Sequence, residues 1–184
     1  MAFRDLREYI AFLEGRGELK QIGVEVSREL EITEIADRVV KKGGPALLFE
    51  NVRGYSVPVL INMFGSEART AAALGVERLD DLGERLGKYI GLAQGPLPAS
   101  MFDKLKVLGQ LAEFASYAPK VVESPPCQEV VLDPPTLAPF PILKCWPLDG
   151  GPFITLPLVV TRDPATRQRN VGMYRLQVYD DRTT

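Results

Sequence analysis

The stretch CWPLDGGPFITLPLVVTRDPATRQRNVGMYRLQV, Cys145 to Val178, decides how this chain is read. Two runs in it, FITLPLVVT (153–161) and VGMYRLQVY (171–179), are rich in β-branched and aromatic residues and predict strands. Between them, Asp163-Pro164 and the polar residues that follow predict a hairpin turn. A half-buried strand normally alternates apolar and polar residues. The second run departs from that pattern: Asn170, Gly172 and Arg175 interrupt Val171, Met173, Leu176, Val178 and Tyr179 in a way that amphipathicity does not require. Asn170 and Arg175 lie five apart, so a regular strand would point them to opposite faces. Gly172 predicts a bulge or a close backbone approach, and a bulge would let both side chains aim at one site. Upstream, the single tryptophan, Trp146, precedes an Asp149-Gly150-Gly151 turn. That segment reads either as a turn with a packed tryptophan or as a loop shaping a pocket wall.

Working outward, prolines recur from Pro119 to Pro164, which disfavours helix there. QEVVL (128–132) is a further strand-like run in this region. Before it the pattern is different. FRDLREYIAFLEGRGE predicts an amphipathic helix with Phe3, Leu6, Ile10 and Leu13 on one face and Tyr9 beside them, stopped by Gly15 and Gly17. LKQIGVEV predicts a strand. SRELEITEIADRVVKKGG predicts a helix capped by Ser27, with Leu30, Ile35, Val39 and Val40 supplying its apolar face. PALLFENV and VPVLINMF predict two strands around the turn RGYS. SEARTAAALG, RLDDLGERLGKYIGLA and MFDKLKVLGQLAEFA predict three more helices. The fold class is therefore α/β (α+β): an α/β lobe over 1–118, then a β-rich region over 119–184. Two or three strands cannot bury both faces or close a barrel. YDDRTT reads as the start of a turn whose partner strand does not follow, so the chain reads as the N-terminal portion, or a fragment, of something longer.

Composition bounds the function. The chain has 184 residues, is 46% hydrophobic and 25% charged, and carries a formal net charge of -2. It has no long basic run, which argues against a nucleic-acid binder. It has no apolar run long enough to span a bilayer, and its N-terminus is not a secretory signal, so a cytoplasmic location is expected. Cys127 and Cys145 are too few and wrongly spaced for a zinc site, and read as two semi-buried thiols. Histidine is absent, which removes the commonest general acid/base and metal ligand. Asn170 offers a neutral hard oxygen suited to Mg²⁺ or Mn²⁺, and Arg175 a fixed cation for a carboxylate or phosphate. Read alone, about three in four such pairs are ordinary surface or capping groups.

Taken together, these residues resemble the UbiD family of prenylated-FMN-dependent decarboxylases. The resemblance rests on the Trp-Pro-x-Asp-Gly-Gly turn, the Thr-x-Pro strand, the Asp-Pro hairpin and the Asn-x-Gly-x-x-Arg strand in this order, and on the opening FRDLREYIAFLEGRGELKQI. It implies an α/β region leading into a flavin-reductase-like split β-barrel, and reversible decarboxylation of an aromatic or α,β-unsaturated acid. It also implies prenylated FMN, Mn²⁺ and often K⁺ at the cofactor phosphate, a flavin prenyltransferase as cofactor supplier, and a homo-oligomer in the full-length enzyme. By resemblance, Asn170 matches a metal ligand, Met173, Tyr174 and Arg175 match the cofactor-contacting segment, and Arg175 also matches the arginine that engages the substrate carboxylate. The family's other metal ligands and catalytic acids fall beyond the equivalent of Thr184, so the chain alone is expected to be inactive. The rival readings are a non-catalytic flavin- or nucleotide-binding module and an assembly domain.

Overall fold

The computed structural model describes residues 3–94 and 121–184. The predicted helix over 101–115 and the predicted boundary near residue 118 lie outside the described residues. The chain divides into two compact units: Met1–Gly75 together with Leu132–Thr184, and Val76–Val131.

In the first unit, α1 (Leu6–Gly15) starts at Asp5, whose carboxylate accepts from the Glu8 amide at 2.9 Å. Its buried face is Tyr9 and Leu13, with Phe3 and Phe12 packed alongside, while Leu6 points outward. The face is thus centred on Tyr9 rather than on the expected Leu6 and Ile10. The cause is polar as well as apolar. The Tyr9 hydroxyl lies 3.0 Å from both the Met63 and Arg69 carbonyl oxygens, and burial raises its pKa.

Strand β1 (Leu19–Ile22) pairs parallel with β2 (Ala46–Phe49), which pairs antiparallel with β3 (Val59–Ile61). The parallel crossover runs through α2 (Glu31–Lys41). Strand period carries the packing. Ala46 joins the α1 cluster, whereas Leu47 and Phe49 join Val26, Ile32, Ala36 and Val52 on the other face. The sheet therefore lies between α1 and α2, an α/β layering. The start of α2 differs from expectation. Ser27 does not cap it, and the helix begins at Glu31 after Leu30, which has φ +65°. Residues 28–30 are instead held by a distant segment: the Leu30 amide donates to the Lys144 carbonyl at 3.0 Å, and the Lys144 amide to the Arg28 carbonyl at 3.3 Å. Tertiary pairing outcompetes the local cap. Its buried residues are Ile32 and Ala36, with Ile35 and Val39 half-buried and Val40 exposed.

Helix α3 (Glu67–Leu74) is capped by Ser66 and ends at Gly75, whose φ of +71° suits glycine. It carries Arg69, a buried cation that the sequence pattern did not mark. Its guanidinium pairs with Glu18 at 3.5 Å and donates to the Gly44 carbonyl at 3.2 Å. In the second unit, α4 (Asp80–Gln94) lies where a helix is expected. QEVVL is not a strand: a 3-10 turn spans Pro126–Gln128 and Val130 and Val131 are exposed. Its first amides are taken by the turn instead: Gln128 donates to the Pro125 carbonyl at 3.0 Å and Glu129 to the Pro126 carbonyl at 3.2 Å. Cys127 is exposed rather than semi-buried, and Cys145 is half-buried.

Two short sheets complete the first unit. Strand β5 (Leu158–Arg162) pairs antiparallel with β6 (Arg169–Met173), and β4 (Phe153–Ile154) with β7 (Leu176–Gln177). They form one hairpin interrupted part-way. Thr155, Leu156 and Pro157 on one arm oppose Tyr174 and Arg175 on the other, three residues against two. Pro157 has no amide to donate, and Leu156 has φ +59°. The mixed α/β class agrees with expectation.

Candidate functional site

The interrupted hairpin places the predicted site residues. In the β5–β6 register, Leu158 faces Met173, Val160 faces Val171, Val159 faces Gly172, and Thr161 faces Asn170. Met173 and Val171 therefore share one face, and Asn170 and Gly172 the other. Gly172 is not itself bulged, since it pairs in register with Val159. It answers to the alternative, close approach: a Cβ there would come within 2.5 Å of the Tyr174 ring. The ring lies over Gly172 and brings its hydroxyl to 3.4 Å from Asn170 Nδ2. The irregularity sits instead at Tyr174-Arg175, between the two residues it was invoked to reconcile.

Arg175 takes a different partner from Asn170. Its Nη2 donates to Asp149 Oδ2 at 3.0 Å, and its guanidinium carbon lies 3.9 Å from the centroid of the Phe153 ring. Asp149 also accepts from the Trp146 amide at 3.1 Å, and its own amide donates to the Trp146 carbonyl at 3.1 Å. The Trp146–Asp149 turn and the Asn170–Arg175 strand, separate motifs in sequence, are thus joined through one ion pair. Trp146 itself is more than half exposed, so the packed-tryptophan reading of this turn does not hold. Asp149 and Phe153 were not among the predicted site residues. The Asp-Gly-Gly turn pointed to the place, but not to the partner 26 residues away.

Phe153 also lines a cavity of about 510 Å³, whose walls are Val59–Gly65, Phe140–Leu143 and Phe153–Leu156. These walls are mainly apolar, so Arg175 lies against a ring that borders an apolar concavity. A divalent metal needs several hard ligands. Among the described residues no group of three or more Asp, Glu or Cys side chains is gathered to hold one.

Two family models match the chain. The 3-octaprenyl-4-hydroxybenzoate carboxy-lyase N-terminal domain covers residues 10–86, and the Rift-related domain of the same carboxy-lyase covers residues 120–184. The chain belongs to the UbiD family. It is 52% identical over 184 residues to an uncharacterized protein of Archaeoglobus fulgidus, covering all of this chain and 37% of that protein. An uncharacterized protein of Aquifex aeolicus is 47% identical over 181 residues, covering 97% of this chain and 37% of that protein. Among solved structures, the UbiD-class enzyme HmfF from Pelotomaculum thermopropionicum in complex with FMN matches with TM-score 0.68 and 30% identity, over 96% of this chain and 35% of that one. The closed form of vanillic acid decarboxylase from Sedimentibacter hydroxybenzoicus matches with TM-score 0.72 and 29% identity, over 97% and 36%. Apo 3,4-dihydroxybenzoic acid decarboxylase (AroY) from Klebsiella pneumoniae matches with TM-score 0.71 and 28% identity, over 96% and 35%. The chain thus spans a little over a third of the length of these UbiD relatives.

Proposed function

We propose that this chain is the N-terminal part of a UbiD-like carboxy-lyase that removes CO₂ from, or adds it to, an aromatic or α,β-unsaturated acid. The observation that carries the reading is the placement of Arg175. It is a guanidinium on an aromatic ring, beside an apolar cavity, within a chain matched along its length by UbiD-class decarboxylases. An apolar wall suits the hydrocarbon part of such an acid, and a planar cation suits its carboxylate. Prenylated FMN would supply the electron sink that no side chain provides. Residues 119–184 would begin the split barrel that holds it, with Met173, Tyr174 and Arg175 contacting it. Asn170 would give one oxygen to Mn²⁺, the remaining ligands coming from elsewhere in the protein. The same reading carries K⁺ at the cofactor phosphate, a flavin prenyltransferase as supplier, homo-oligomerisation and a cytoplasmic setting.

In this reading the two residues do different work, so their loss should look different. In the full-length protein, Asn170→Ala is expected to lower metal and flavin retention. Arg175→Ala is expected to keep the flavin and reduce turnover by about two to four decades, roughly 3–5 kcal/mol for a lost charge-assisted contact in a partly dry site. Arg175→Lys is expected to restore only part, since the planar fork is gone. Flavin absorbance alongside turnover of an aromatic acid checks both. Near-normal turnover in Arg175→Ala would remove the carboxylate role.

A further inference from the structure

We infer that Asp149 is a positioning residue for Arg175, one that sets the direction in which the guanidinium presents its free donors. The inference rests on the proposed carboxylate role of Arg175. Its geometric part stands on the turn alone.

Tyr174 and Arg175 form the short arm of the hairpin interruption and make no ladder pair, so the strand register does not orient the Arg175 side chain. Two contacts do. The Phe153 ring supports the flat face of the guanidinium at 3.9 Å, and a ring face alone leaves rotation about the normal to that plane free. The hydrogen bond from Nη2 to Asp149 Oδ2 removes that freedom. It uses one of five N–H donors and leaves the others for a ligand.

Asp149 is suited to the task because its carboxylate is held independently of Arg175. Its amide and carboxylate both bond Trp146, which closes the turn. Its side chain is 16% exposed, whereas that of Arg175 is 47% exposed. The turn is in turn fastened to β7. A Cβ at Gly150 would lie 2.8 Å from the Gln177 side-chain Nε2, one at Gly151 would lie 3.4 Å from the Val178 carbonyl oxygen, and the Val178 amide donates to the Pro152 carbonyl at 2.9 Å. A fixed carboxylate therefore aims a less buried cation, and the glycines are what allow the turn to approach so closely.

The test is a double-mutant cycle in the full-length protein, read on turnover of an aromatic acid and on flavin absorbance, with a crystal structure of the Asp149→Ala variant. Asp149→Ala is expected to keep flavin occupancy within about twofold and to lower turnover about a hundredfold, the scale of a misplaced reactive contact. Asp149→Asn, which can keep the bond to Trp146, is expected to cost about tenfold, and serves if the alanine variant fails to fold. In an Arg175→Ala background the same Asp149 changes are expected to cost less than about twofold, because their effect runs through the arginine. A purely structural role for Asp149 would instead cost the same in both backgrounds, and that result overturns the inference. So does an Arg175 guanidinium that stays on Phe153, in the same orientation, after Asp149→Ala. If the guanidinium turns away yet turnover is unchanged, the positioning stands and the carboxylate role of Arg175 fails; if the wild-type protein turns over no acid, that role fails and the Arg175 orientation in the Asp149→Ala structure alone decides the positioning.

Discussion

Asp163, at the tip of the β5–β6 hairpin, accepts hydrogen bonds from the Thr166 and Ala165 amides at 2.6 and 2.9 Å. The bond from the Thr166 amide is the main reason its pKa is held below the ordinary value of 3.8. A depressed folded pKa means the ionised carboxylate stabilises the tip at and above the unfolded pKa. That contribution is lost as pH falls through the folded one. The Ala165 and Thr166 amide shifts are therefore expected to titrate together with a midpoint below 3.8, and Asp163→Asn is expected to abolish the titration. A midpoint at or above 3.8, followed by NMR, would contradict this. Asp163 was legible in the sequence because Asp-Pro turns are local: donors and acceptor lie within three residues. The pairing of Asp149 with Arg175 was not, because nothing local states which carboxylate a strand arginine will meet.

At the scale of elements, β2 carries the first unit's packing. Phe49 is fully buried among Val26, Ile32, Ala36, Leu47 and Val52, so it touches both the sheet and α2. Phe49→Ala is expected to cost about 3–5 kcal/mol, the sum of lost transfer free energy and an unfilled cavity. Since domains are stable by about 5–15 kcal/mol, this is a large share. A urea denaturation midpoint measures it, and a loss below 1 kcal/mol would mean that the core collapses around the gap. The elements also show where sequence periodicity stops being enough. The existence and type of α1 to α4 and of β1 to β7 followed from pattern and turn residues, apart from the breaks at Leu156-Pro157 and Tyr174-Arg175. The start of α2 did not, because the Ser27 cap competed with the Lys144 backbone and lost. QEVVL had strand composition but no strand to pair with.

For the molecule as a whole, proton transfer to a decarboxylated carbon needs a positioned acid. The carboxylate found beside Arg175 is Asp149, already committed to the arginine and to the Trp146 turn. The 184-residue chain by itself, supplied with prenylated FMN and Mn²⁺, is therefore expected to show no turnover of aromatic acids above a blank. Product formation followed by chromatography tests this, and measurable turnover would mean that an acid within this chain serves. The matching structures are nearly three times longer, so there is ample room in such proteins for the acid and the further ligands.

What the sequence determined by itself was whatever depends on short-range chemistry: most of the described helices and strands, QEVVL apart, the Asp163 hairpin, the glycine and proline stops, and the motif order that resembles the UbiD family. Those features rest on φ/ψ preferences, side-chain periodicity and bonds made within a few residues. The tertiary structure alone decided which face of α1 is buried, where α2 begins, that Arg69 is a buried cation, and that the hairpin breaks opposite Tyr174 and Arg175. It also decided that Asp149 and Phe153 hold Arg175. Each of these is a choice between partners of similar local merit. Only the closing of distant segments upon one another removes the alternatives, because a buried donor or charge takes whichever partner the packing brings within reach.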